Sequence, residues 1–131
     1  MKNLEEFFVK YPLAKRLKEK GFQDGVFAYF KENKYKPGVF ELWPSQDPEF
    51  QVKHQRGEQN KHSELGLISA PTYEQVTEWL RTTHRIDVDV HPNGNGEYHS
   101  YVINNDVEEL FEHKKYYPAL IKAINRALEL I

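Results

Sequence analysis

The sequence predicts an α+β fold, a mainly antiparallel four-stranded sheet with helices packed on one face. Two segments, 26–43 and 86–104, each contain two runs of strand-forming residues separated by a polar turn, which is typical of a hairpin. A helical segment precedes each hairpin, so the order helix, strand, strand occurs twice. A further helical pattern closes the chain. Two hairpins covered by helices can bury one core, and we therefore expect a single domain over residues 1–131.

The first helical segment, 3–20, is predicted in two pieces. Asn3 and Glu6 have the spacing of a capping box, in which each residue satisfies a backbone N–H of the other. Pro12 cannot continue that helix but suits the first turn of a second one. Gly21 is placed as the C-cap. The first hairpin follows, with strands expected at 26–30 and 39–43, and polar residues 44–66 are then predicted to form a long loop.

The second half begins with the clearest helix start. Thr72 is an N-cap residue, Gln75 is its reciprocal partner, and the helix is expected to run to about Thr83. The alternating segment 86–91 predicts a half-buried strand. Asn93-Gly94-Asn95-Gly96 predicts the turn of the second hairpin, because Asn and Gly tolerate positive φ, and 98–104 is its returning strand.

The last segment is predicted to be helical throughout. Asn105 and Glu108 have capping spacing, and the apolar residues at 107, 110 and 111 share one helical face. Pro118 is expected to restart or bend this helix. The remainder carries a long apolar stripe that needs a surface to pack against, formed by Leu120, Ala123, Ile124, Ala127, Leu128 and Ile131.

The candidate chemistry lies on the second hairpin. Asp87, Asp89 and His91 alternate along one strand, so their side chains share a sheet face, and His99 lies on the partner strand. Carboxylates and imidazoles in this arrangement can bind a divalent metal or act as an acid–base pair. The same alternation is typical of any strand whose other face is buried, here by Ile86, Val88 and Val90. The four residues are candidates only; the sequence assigns no catalytic, cofactor-binding or metal-ligating residue.

Composition excludes several functions. The chain has no cysteine, which rules out thiolate catalysis, Fe–S clusters and cysteine zinc sites. No segment resembles a signal peptide or a membrane span, so we expect a cytoplasmic protein with no membrane partner. A formal net charge of −2 argues against nucleic-acid binding through a strong positive field. One cluster keeps single-stranded nucleic acid open as an alternative, because lysines alternate with tyrosines at Tyr29, Lys31, Lys34, Tyr35 and Lys36.

Several segments together resemble a family of small uncharacterised proteins encoded in gut-bacterial genomes, often in prophage or other mobile regions. The best marker is the helix start Ser69-Ala70-Pro71-Thr72 leading to Trp79-Leu80-Arg81, and the others are the segments 13–22 and 123–131. The resemblance implies a soluble intracellular protein of unknown biochemical function. It assigns no catalytic residue.

Three functions follow from these observations. The first is a non-enzymatic small domain that acts through contacts with a protein partner or with a second copy, as a prophage-type accessory protein. The second is a metal-dependent hydrolase that uses the hairpin 86–101. The third is a weak binder of single-stranded nucleic acid. The absence of a catalytic motif favours the first of these.

Overall fold

The computed structural model describes residues 4–44, 67–105 and 107–131, and it confirms the α+β class. The chain divides into two compact units, Met1–Gln75 and Val76–Ile131. The predicted four-stranded sheet is wrong: the described strands form two antiparallel sheets of three strands each. Each sheet consists of one predicted hairpin and a third strand that the sequence did not reveal. No helix among the described residues is long and apolar enough to cross a membrane.

The first unit begins with a 3-10 turn, Leu4–Phe7, followed by helix α1, Tyr11–Glu19. This matches the two predicted pieces, and Pro12 lies in the first turn of α1 as expected. Asn3, the predicted cap of the first piece, lies outside the described residues.

Helix α1 ends in a Schellman motif centred on Gly21. The N–H of Gly21 donates to the carbonyl of Lys18 at 3.1 Å, and the N–H of Phe22 donates to the carbonyl of Leu17 at 2.9 Å. Gly21 has a φ of +90°, which a residue with a Cβ rarely adopts. Leu17 and Phe22 are both buried, as the hydrophobic contact of this motif requires. The predicted end of the helix is therefore confirmed.

The sheet of the first unit has the order β2-β1-β3. Strands β1, Ala28–Glu32, and β2, Phe40–Pro44, form the predicted hairpin, with Tyr29 opposite Trp43. Strand β3, Leu67–Ser69, pairs with the other side of β1. Its three residues are too few to show the alternation of apolar and polar side chains that predicts a strand. Pro44 belongs to β2, and the rest of the predicted loop 44–66 lies outside the described residues.

Helix α2, Tyr73–His84, begins with the predicted capping box. The N–H of Gln75 donates to Oγ1 of Thr72 at 3.2 Å, and the N–H of Thr72 donates to Oε1 of Gln75 at 2.9 Å. Nε2 of Gln75 also donates to the carbonyl of Gly25 at 3.0 Å. One side chain thus closes the helix start and fixes it against the segment that leads into β1.

The second unit contains strands β4, Ile86–Pro92, β5, Tyr98–Asn104, and β6, Val107–His113, in the order β4-β5-β6. The hairpin of β4 and β5 is confirmed. In its turn, Gly94 and Gly96 have positive φ, and Oδ1 of Asn93 accepts hydrogen bonds from the N–H groups of Asn95 and Glu97. Helix α3, Tyr116–Glu129, packs on one face of this sheet and contacts all three strands.

The predicted helix at 105–113 is wrong, because these residues form β6. The apolar residues Val107, Leu110 and Phe111 fit a helical face, but as a strand they divide between its two sides. Asn105 has a φ of +56° and lies in the short connection from β5. It acts as a turn residue in the left-handed region rather than as a helix cap.

Helix α3 buries the predicted apolar stripe against the sheet, and Ile131 lies beyond its end, half-buried. Its buried residues, all at helical spacing, are Ala119, Leu120, Ala123, Ile124, Ala127 and Leu128. Arg126 ties the helix to β6, since its Nε and Nη2 donate to the Glu109 carboxylate at 2.6 and 2.8 Å. These hydrogen bonds hold the pKa of Glu109 below its ordinary value. The carboxylate–guanidinium pair fixes the helix at the β6 side of the sheet.

Candidate functional site

The strand register of the second unit places nine side chains on the sheet face opposite α3. Side chains alternate along a strand, so the buried Ile86 and Val102, and the residues opposite them on neighbouring strands, face α3. The residues adjacent to these along each strand face the other side of the sheet. We call the face directed away from α3 the acidic face. It comprises Asp87, Asp89 and His91 of β4, His99, Tyr101 and Ile103 of β5, and Glu108, Leu110 and Glu112 of β6.

Charge and exposure distinguish this face. Its nine described positions include four carboxylates and two histidines but neither lysine nor arginine, whereas the chain as a whole is nearly balanced. Two aliphatic side chains lie among the acids: Leu110 is 51% exposed and Ile103 is 36% exposed. Apolar groups surrounded by charge of one sign are suited to contact a partner of the opposite sign.

Of the four predicted candidates, the structure brings two into direct contact. Nε2 of His91 lies 2.8 Å from Oδ2 of Asp89, and both side chains are more than half exposed. The other oxygen of Asp89 accepts a hydrogen bond from the N–H of Val90 at 2.9 Å. An exposed carboxylate–imidazole pair contributes roughly 0–1 kcal/mol to stability. The pair is a surface feature of the acidic face.

His99 has a different partner, one that sequence reasoning missed. Its Nε2 lies 3.0 Å from Oε1 of Glu112 on β6, and its ring meets that of Tyr101 edge to face at 6.4 Å. His91 is directly opposite His99 in the register, and it also contacts Tyr101, at 5.6 Å. Tyr101 thus lies between two imidazole–carboxylate pairs. Asp87 lies at the other end of β4, opposite Ile103, and is exposed.

The arrangement gives no support to a metal centre. Within the described part of the chain, no group of three or more His, Asp or Glu side chains is placed to hold a metal ion. Asp89 and His91 form one imidazole–carboxylate pair, and His99 and Glu112 form another. These are two separate pairs rather than one shared ligand set.

The residues predicted to bind nucleic acid lie in the first unit. Tyr29, Lys31 and Trp43 share the face of the β2-β1-β3 sheet opposite the buried Phe30. Trp43 is half exposed, and Nζ of Lys31 lies 6.0 Å from the centroid of its ring. Tyr35, in the turn, is 89% exposed. The turn lysines Lys34 and Lys36 are exposed as well, but Glu41 lies on the same sheet face as Lys31.

A cleft of about 350 Å³ also lies in the first unit, beside α1. Phe40 lines this cleft, and the ring of Tyr11 stacks on it with 3.9 Å between the two ring centroids. Both apolar and charged side chains line the cleft: Glu5, Val9, Lys10, Phe30, Phe40, Glu41 and Leu42. It contains none of the predicted site residues, and its two carboxylates and one ammonium carry no recognisable catalytic pattern.

Comparison with known proteins adds no further constraint. The chain matches no protein-family model, no curated protein and no solved structure.

Proposed function

We propose that the chain is a non-enzymatic protein-binding module whose acidic face binds a positively charged partner. The observation that carries the proposal is the composition of that face, with four carboxylates, neither lysine nor arginine, and the exposed side chains Leu110 and Ile103 beside the carboxylates. Burial of the two aliphatic side chains supplies affinity, and since Leu110 is 51% and Ile103 36% exposed, each contributes only part of the roughly 1.5–3 kcal/mol for burying a fully exposed side chain of this size. The surrounding carboxylates supply steering and select for basic partners.

The proposal includes the cellular setting that the resemblance implies. The module then acts in the cytoplasm as an accessory protein of a prophage or another mobile element. The segments quoted for the resemblance, above all Ser69–Thr72 with Trp79–Arg81, support this setting.

A peptide array with matched charge variants tests the binding function. The array presents short peptides in which an apolar residue is flanked by lysines or, as a control, by glutamates. The wild-type chain is expected to retain only the lysine set, and the double variant Asp89→Lys/Glu112→Lys is expected to lose that retention. The control Glu19→Lys/Glu78→Lys makes the same change in net charge at exposed helical positions outside the acidic face. Equal loss in both variants, or no preference in the wild type, contradicts the proposal.

A second candidate, weak binding of single-stranded nucleic acid, is favoured by the surface of the first unit. Tyr29 and Trp43 are cross-strand neighbours with Lys31 beside them, and stacking on such aromatics is tolerant of sequence. Trp43 is half exposed while Trp79 is buried, so quenching of fluorescence reports on this surface. An oligothymidylate of roughly 12 nucleotides should quench it at low salt, and Lys31→Ala should abolish the effect. Absence of salt-sensitive quenching eliminates this candidate.

A further inference from the structure

We infer that the partner binds by adding a strand to the free edge of β6; this inference rests on the proposed function and specifies how the partner binds. Among the described strands, β6 pairs only with β5, so one side of its backbone is left without a strand neighbour. Such edges pair readily with extended segments, and the main chain then supplies much of the affinity.

The register identifies the backbone groups that a new strand would use. Only two residues connect β5 to β6, and Asn104 lies opposite Val107. A turn of this length closes with a hydrogen bond between its flanking residues, and bonded and non-bonded pairs alternate from there along the ladder. Glu108, Leu110 and Glu112 therefore fall at the non-bonded positions. Their N–H and C=O groups point away from β5, toward the free edge.

The same three residues set the side-chain pattern of the partner. Their side chains lie on the acidic face, so residues paired with them lie on that face too. Opposite charges facing each other across a strand pair stabilise it, and apolar pairs do likewise. The complementary strand carries basic residues opposite Glu108 and Glu112 and an apolar residue opposite Leu110. Its pattern is basic, any residue, apolar, any residue, basic.

The intervening positions of the partner point to the α3 side, where the charges differ from those of the acidic face. The charge of Arg126 is compensated there by Glu109 and Glu129, and Nζ of Lys122 lies 5.3 Å from the ring centroid of Phe111. A basic residue opposite Phe111 would approach Lys122, which has the same charge. The edge therefore favours lysine or arginine opposite Glu108 and Glu112 more than at the intervening positions.

Two other pairings fit less well. If a second copy paired antiparallel through its own β6, centred on Leu110, Glu108 of each copy would lie opposite Glu112 of the other, and like charges in such positions are destabilising. Strand β4 is the other edge of this sheet. Its residues on the acidic face are Asp87, Asp89 and His91, which offer no apolar side chain to bury.

A synthetic peptide with the core lysine–threonine–valine–threonine–lysine is the probe. The control peptide has the same composition in the order threonine–lysine–valine–lysine–threonine, which moves both lysines to the α3 side. Isothermal titration at low salt should show binding of the probe at least about tenfold tighter than that of the control. Hydrogen exchange on the complex should show new protection of the amides of Glu108, Leu110 and Glu112.

Substitutions in β6 distinguish binding at its free edge from binding on the acidic face. Leu110→Pro removes an N–H that points outward and takes no part in the β5 ladder, so the sheet should persist while probe binding falls about tenfold or more. Leu110→Thr keeps that N–H and should weaken binding less. Glu108→Lys/Glu112→Lys should reverse the preference toward a glutamate version of the probe.

The outcomes distinguish this inference from the function on which it rests. If the probe binds and Asp89→Lys/Glu112→Lys abolishes binding, but Leu110→Pro has no effect and the three amides gain no protection, the partner lies on the face and strand addition is wrong. If neither peptide binds and the lysine peptides of the array are not retained, the proposed function itself is wrong. Because exchange is measured on the unaltered chain, a misfolded proline variant does not affect the test.

Discussion

Ser100 provides a test of the packing between β5 and α3. It lies in the middle strand on the side facing α3, opposite Val90 and Phe111, and it is fully buried. Its Oγ has no hydrogen-bond partner among the described residues. In the unfolded chain this hydroxyl is hydrogen-bonded to water, so folding gives up that interaction at a cost of about 1–3 kcal/mol.

Substitution Ser100→Ala removes this cost and should stabilise the protein. The loss of one oxygen leaves a void of roughly 10 Å³, which at about 24 cal/mol per Å³ costs only about 0.2 kcal/mol. Removing an unpaired hydroxyl therefore outweighs the void, and we expect the free energy of unfolding to rise by about 1 kcal/mol.

Urea unfolding followed by circular dichroism measures the change. With an m value of about 1–3 kcal/mol/M, the midpoint should rise by about 0.3–1 M without a change in slope. Ser69→Ala is the control, because Ser69 is only half-buried in β3, and we expect it to stay within about 0.5 kcal/mol of the wild type. If Ser100→Ala instead lowers the free energy of unfolding by about 1 kcal/mol, the hydroxyl makes a hydrogen bond in solution and the reasoning is refuted.

Three further predictions concern other parts of the fold. Arg126 lowers the pKa of Glu109 in the folded protein, so the pair stabilises the fold above the pKa of the unfolded state, and this stabilisation is lost as the pH falls through the folded-state pKa. Acid titration should therefore show a weaker loss of stability below about pH 4.5 for Glu109→Gln than for the wild type. Thr72→Ala should cost about 1 kcal/mol in urea unfolding, while Thr72→Ser, which keeps the oxygen for the N–H of Gln75, should cost little. Gly21→Ala should lower the thermal midpoint by several degrees, since its φ of +90° strains any residue with a Cβ; an unchanged midpoint would show that the helix end rearranges freely.

The local signals in the sequence were sufficient for most elements. Thr72 and Gln75 form the predicted reciprocal bonds, Gly21 ends α1, and the turn at Asn93 joins β4 to β5. Each of these depends on residues within a few positions of one another, so the chemistry that determines the structure is visible in a short window of sequence.

The arrangement of the strands into sheets could not be predicted in the same way. Strand β3 has three residues and is defined by its pairing with β1, which lies more than thirty residues earlier in the chain. A short strand of this kind carries little periodicity of its own, and tertiary contacts determine it. Without β3 and β6, two hairpins account for four strands, and a single sheet was the simplest arrangement. With both strands included, each unit has its own three-stranded sheet.

The misassigned strand β6 also explains why only part of the acidic face could be anticipated. The alternation of Asp87, Asp89 and His91 was visible because β4 was predicted correctly. As part of a helix, Glu112 would lie nowhere near His99, and Leu110 would lie in a buried apolar stripe. As part of an edge strand, Glu112 contacts His99 and Leu110 is half exposed among carboxylates. The polar face of β4 is thus part of a continuous surface on which Leu110 and Ile103 lie among carboxylates, and this combination is the basis of the proposed binding module.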